Sequence, residues 1–118
     1  QLVRRENNEK YQVKLENIEA EIKKMLETIQ NDMFNNAKMF LDSHIDTALT
    51  KDELVNKMKN KQGFIKAMHC GCEECEQAFK DETGISSRCI PFNQEKLSDK
   101  CAICGKEAKY EVIWGKSY

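Results

Sequence analysis

Between Glu9 and Leu15 apolar and polar residues alternate, with Tyr11, Val13 and Leu15 on one side and Lys10, Gln12 and Lys14 on the other. That is the two-residue period of a half-buried strand. From Asn17 the period changes: Ile18, Ile22, Met25, Leu26, Ile29, Met33, Phe34, Ala37, Phe40 and Leu41 recur at steps of three and four. This spacing predicts one amphipathic helix from about Asn17 to Asp42, on the order of 40 Å long and in need of a surface to lie against. Thr50 followed three residues later by Glu53 forms a capping box, after which Leu54, Val55 and Met58 share a helical face and Gly63 is placed to end the helix.

Phe64, Ile65, Ala67 and Met68 make a brief apolar run that reads as a central strand and stops where the first cysteines begin. Cys75, Ala78 and Phe79 give a third helix between Glu73 and Thr83. Ile85 to Phe92 reads as a strand with Pro91 at its end or edge and Cys89 as a small core residue inside it. A polar loop, Asn93 to Lys100, follows. Tyr110, Val112 and Trp114 then alternate with Glu111, Ile113 and Gly115 in a last strand. The expected order is β-α-α-β-α-β-β, an α+β fold of two layers in which helices cover one face of a mixed sheet.

A length of 118 residues fits one domain with an appended helical arm. With 40% hydrophobic and 33% charged residues, the chain is neither disordered nor a low-complexity repeat. Nineteen basic against twenty acidic residues leave a net charge of -1, so no global positive field draws it onto nucleic acid, and any RNA contact would be local. No run approaches the length of a membrane helix, and the start, Gln1-Leu2-Val3-Arg4-Arg5, lacks the apolar core of a signal peptide. A first residue other than Met suggests a piece of a longer protein whose missing part lies upstream.

All six cysteines lie between Cys70 and Cys104. Crowding of Cys70, Cys72 and Cys75, with Cys101 and Cys104 sharing one short turn, is the spacing of metal knuckles rather than of a distributed disulfide framework. Cys101-Ala102-Ile103-Cys104-Gly105 is the more specific pair: two intervening residues let both sulfurs face one ion, and Gly105 can adopt the positive φ of the following turn. Upstream, spacing alone favours Cys72 with Cys75 over Cys70 with Cys75. His69 is a further candidate, set against the plainer reading of a strand-end histidine meeting solvent. Four cysteine ligands leave no open position for water, which makes the expected zinc structural. A thiol redox role for Cys72 and Cys75 at a helix N-terminus is opposed by Glu73, Glu74 and Glu76, which disfavour a thiolate.

The run Gly63-Phe64-Ile65-Lys66-Ala67, then Cys70-Gly71, Cys75, Glu82-Thr83-Gly84, Arg88-Cys89-Ile90-Pro91-Phe92, Cys101 to Gly105, Ala108-Lys109-Tyr110 and the ending Gly115-Lys116-Ser117-Tyr118 resemble the C-terminal zinc-binding domain of the archaeal and eukaryotic type of prolyl-tRNA synthetase, a class II aminoacyl-tRNA synthetase. The resemblance covers Gln62 to Tyr118 by motif and the earlier residues by arrangement. It implies Cys70, Cys75, Cys101 and Cys104 as the zinc ligands, with residues 9–118 as the zinc-binding α+β domain and 1–8 as a linker or the tail of an anticodon-binding domain. Cys72 departs from the family pattern, as does His69 where relatives often carry a bulky aromatic residue.

For the intact enzyme the resemblance implies activation of proline with ATP and Mg2+, transfer to the proline tRNA, a homodimer and a cytoplasmic location. Partners of this piece would be the catalytic and anticodon-binding domains of its own chain, with Tyr118 packing its carboxylate toward the catalytic domain. The piece alone would be catalytically silent. The competing reading is a free-standing zinc module binding RNA or protein, using the Lys residues at 96, 100, 106, 109 and 116 near Tyr110 and Trp114.

Overall fold

The computed structural model describes residues 1–117, which fall into two compact units, one of Gln1–Asp42 and one that begins at Ser43. In the first, β1 (Leu2–Val3) and β2 (Lys10–Tyr11) form an antiparallel hairpin with Leu2 opposite Tyr11. A 3-10 turn at Leu15–Asn17 leads into α1 (Ile18–Ser43). The strand expected over Glu9 to Leu15 is thus only two residues long, and residues 1–8 supply its partner. Alternation shows which side chains share a face, but a ladder extends only as far as a neighbouring strand can exchange main-chain bonds. Here that neighbour stops at Arg4, whose N–H donates to the Glu9 carbonyl at 2.9 Å and whose carbonyl accepts from the Asn8 N–H at 2.8 Å.

Leu15, beyond the ladder, is exposed. The buried Arg4 guanidinium pairs with Glu6 and, at 2.6 Å, with Asp32 on α1, fastening hairpin to helix. No residue of α1 is buried, and Ile22, Leu26 and Phe34 of its apolar stripe stay exposed. Among the described residues no helix is long and apolar enough to cross a membrane.

The second unit is built on a four-stranded sheet in the order β3-β4-β6-β5. Its strands are β3 (Ile45–Thr47), β4 (Phe64–His69), β5 (Ile85–Cys89) and β6 (Tyr110–Lys116). β3 and β4 run parallel, joined through α2 (Lys51–Asn60), whereas β6 pairs antiparallel with both β4 and β5, and α3 (Glu73–Thr83) connects β4 to β5. The sheet is mixed and β4 is internal, as the sequence predicts. The element order is corrected to β-β-α-β-α-β-α-β-β: β3 has three residues and one large apolar side chain, too few to register as a period. β5 also stops short of Phe92. Its register shifts between Ser87 and Cys89, Pro91 then has no N–H to give, and Cys89 lies exposed on this edge strand, not in the core.

Core residues come from one face of the sheet, where Ile65 opposes Trp114 and Ala67 opposes Val112. Leu54 of α2 and Phe79 of α3 cover them, and Trp114 is 0% exposed with its ring edge-on to Phe79 at 5.5 Å. Glu111, on the opposite face, is buried too. Gln94 clasps its peptide, accepting from the Glu111 N–H at 2.6 Å and donating to its carbonyl at 3.3 Å, so the polar loop closes on the stretch of β6 that β5 leaves unpaired. The capping box forms with one change, since Thr50 Oγ1 accepts from the Glu53 N–H while the Glu53 carboxylate accepts from Leu49 rather than from Thr50.

Gly63 does not end α2, which stops at Asn60 with an extended Lys61 behind it. It allows a close approach instead. At φ 141° a Cβ there would sit 2.1 Å from the His44 carbonyl oxygen, the atom that accepts from the Phe64 N–H at 2.8 Å. Gly63→Ala is therefore expected to destabilise the unit by about 2–3 kcal/mol, through both the φ and the clash. An unchanged urea midpoint for this variant would show that the turn yields freely.

Candidate metal centre

Two short segments meet at the end of β4. One is the strand end itself, His69 and Cys70, followed by Gly71 and by Cys72 as the N-cap of α3, with Cys75 in the first turn of that helix. The other is the turn from Cys101 to Cys104, closed by the Gly105 N–H donating to the Cys101 carbonyl at 2.9 Å and the Cys101 N–H donating to the Lys106 carbonyl at 2.7 Å. Gly105 has the positive φ, 72°, that its place after the second cysteine predicts. The knuckle is tied to β4 at two points: the Ala102 N–H donates to the Met68 carbonyl at 2.9 Å and the Lys109 N–H to the His69 carbonyl at 2.8 Å. Main-chain bonds, more than side-chain packing, thus set the distance between the two cysteine pairs.

The donor atoms of His69, Cys70, Cys75 and Cys101 all lie within 4.8 Å of one another, and Cys104 Sγ is 3.6 Å from Cys70 Sγ. Cys72 lies outside that group. Its N-cap position turns the thiol along the helix start, where it donates to Glu74 Oε2 at 2.8 Å. None of the six cysteines is in a disulfide.

Burial pushes the Cys75 thiol well above its ordinary value, with the neighbouring Cys104 adding to the effect, and burial likewise raises Cys70. Cys104 goes the other way. Burial raises it as well, but the Lys106 backbone N–H and the thiols of Cys101, Cys70 and Cys75 outweigh that and bring it down to about 7. Thiolates this close repel one another, and a bound cation would offset that repulsion. Four clustered sulfurs suit a soft divalent ion in a tetrahedral site.

His69, a candidate that the sequence reading set second to a strand-end histidine meeting solvent, is 4% exposed. The signal was present: Ile65, Ala67 and His69 fall on the same face of β4, the face that packs the core. Of the residues in the RNA-binding alternative, Trp114 is fully buried and Lys96 pairs with Asp99, whereas Tyr110 is exposed. The redox alternative loses its reactive thiol, because Cys75 is shifted up and Cys72 donates to a carboxylate.

A profile of the family described as "Prolyl-tRNA synthetase, C-terminal" matches residues 51–118. The chain is 48% identical over 117 residues to proline–tRNA ligase 2 of Bacillus thuringiensis subsp. konkukian, covering 99% of this chain and 25% of that protein. It is equally similar, at 48% over 117 residues, to the proline–tRNA ligase of Clostridium novyi, covering 99% of this chain and 24% of the relative. Among solved structures, the prolyl-tRNA synthetase from Cryptosporidium parvum complexed with L-proline and AMP superposes with a TM-score of 0.89 at 32% identity, covering 98% of this chain and 25% of that one. The chain belongs to the prolyl-tRNA synthetase C-terminal domain family, and it spans about a quarter of the length of these relatives.

Proposed function

We propose that this chain serves as the structural zinc-binding C-terminal domain of a proline–tRNA ligase. The observation that carries the zinc half of this reading is the convergence of four cysteine sulfurs from two separately folded segments. Cys70, Cys75, Cys101 and Cys104 would hold the ion, which when bound supplies a tetrahedral cross-link between the end of β4, the first turn of α3 and the knuckle. The chain's own residues prepare that link: Ala102 and Lys109 fix the knuckle to the strand, and Cys70 and Cys101 are buried beneath the half-buried Cys75 and the exposed Cys104.

The ligase half rests on family membership. A protein carrying this domain would activate proline with ATP and Mg2+ and transfer it to the proline tRNA, working in the cytoplasm as a homodimer. Catalysis would belong to other domains of the same chain, since this chain spans about a quarter of its ligase relatives. Residues 9–118 would form the zinc domain, with 1–8 linking it to an anticodon-binding domain. Tyr118, which lies outside the described residues, would dock on the catalytic domain through its terminal carboxylate.

Proline-dependent exchange of pyrophosphate into ATP tests this reading. The longer protein bearing this domain is expected to show exchange, the 118-residue chain none, and the longer protein lacking Tyr118 a reduced rate. A longer protein without proline-dependent exchange would contradict the ligase reading.

A further inference from the structure

His69 lies against the sulfur cluster, yet three separate contacts fix what its ring can do there. The Gly71 N–H donates to His69 Nδ1 at 3.2 Å. A backbone N–H can only donate, so Nδ1 presents its lone pair and the proton of the neutral imidazole sits on Nε2. That nitrogen faces Cys70 Sγ at 4.0 Å. The ring plane is held edge-on to the indole of Trp114, with centroids 5.4 Å apart. Gly71 adopts φ 76°, a conformation that favours glycine, and a Cβ there would approach Tyr110 Cε2 to 2.9 Å.

We propose that His69 is a positioning residue of the metal centre, a donor locked as its Nε2–H tautomer that hydrogen-bonds the Cys70 thiolate and leaves ligation to the four cysteines. The proposal rests on the zinc reading above. Ligation through Nε2 would require the proton to move to Nδ1, where it would confront the Gly71 N–H, donor against donor. Ligation through Nδ1 would require the Gly71 bond to be given up. A donated hydrogen bond, by contrast, needs no rearrangement and spreads the charge of a sulfur that burial would otherwise leave poorly compensated. It also answers why an imidazole can stand where an aromatic ring would serve for packing alone: its edge fills the contact with Trp114 while Nε2 contributes a donor.

Two measurements on the 118-residue chain test the proposal. With 15N-labelled histidine and 113Cd in the site, His69 is expected to show a protonated Nε2, an unprotonated Nδ1 and no coupling to the metal, whereas coupling between 113Cd and either ring nitrogen would overturn it. His69→Phe, which keeps a ring against Trp114 and removes the donor, is expected to lower zinc affinity roughly ten-fold or more in competition with a chromophoric chelator. Affinity equal to that of the unmodified chain would overturn the proposal while leaving the zinc reading intact. Failure of the unmodified chain to bind zinc or cadmium would overturn both, and is told apart because it precedes any variant. The tautomer is read on the unmodified chain, so the first test stands even where the variant folds poorly.

Discussion

Cys101→Ser is expected to release the metal and unfold most of Ser43–Tyr118 while leaving α1 helical. Cys101 is buried, its N–H holds the knuckle closed on Lys106, and its sulfur lies inside the cluster shared with Cys70 and Cys75. A hydroxyl there is a poor ligand for a soft cation, and an incomplete site forfeits most of a binding free energy that is on the order of 10 kcal/mol for structural zinc. That loss is comparable to the whole stability of a small domain. Residues 18–42 of α1 belong to the other compact unit. Far-UV circular dichroism should therefore show a loss of sheet signal with helical signal retained, and metal analysis should show an empty site. Cys72→Ser is the matched control. Its thiol contacts Glu74 and caps no N–H of α3, so serine, a better N-cap, should leave stability within about 0.5 kcal/mol or raise it. Equal behaviour of the two variants would contradict the assignment.

The second large effect is expected from Trp114→Ala, at about 3–5 kcal/mol. Trp114 is wholly buried, opposes Ile65 across the β4-β6 ladder, and meets Phe79 of α3 and His69 of the metal centre at its ring edges. Truncation leaves a cavity that α2, α3 and the two strands cannot all close, because the strands are fixed by their ladder and α3 by its start at the cluster. Urea titration followed by circular dichroism should show the midpoint fall with little change in slope. Trp114→Phe, which keeps a ring in the site, should lose less. A cost below about 1 kcal/mol for the alanine variant would mean that Trp114 is peripheral to stability.

What the sequence disclosed and what it withheld divide along a physical line. The long helix, α2 with its cap, the central strand β4 and the knuckle at Cys101 to Cys104 were legible because each is written in local periodicity or short spacing. β1 and β3 were not, because a strand of two or three residues exists only by virtue of its partner, Tyr11 for Leu2 and Phe64 for Ile45. Cys89 was misplaced because an apolar neighbour, Ile90, suggested a buried strand where the edge in fact frays toward Pro91. The main chain of Glu111 is clasped by Gln94, seventeen residues away in sequence, and no pattern within the last strand could announce that contact.

At the metal centre the limits are sharper. Spacing alone favoured Cys72 with Cys75, and only the start of α3 reveals that the Cys72 thiol turns to Glu74 while Cys70 meets Cys104. His69 is the opposite case, a residue whose place on the core face was readable from Ile65 and Ala67 but whose tautomer depends on the Gly71 N–H reaching Nδ1, a contact that no sequence pattern announces.

The account turns on whether the four sulfurs bind one ion. The most direct test is metal content per chain in protein purified without added zinc, together with a count of thiols that react in the native state. One zinc per chain, with Cys70, Cys75, Cys101 and Cys104 protected and with Cys72 and the exposed Cys89 reactive, is the result expected. No metal with all six thiols reactive, or cysteines paired as disulfides, would contradict it.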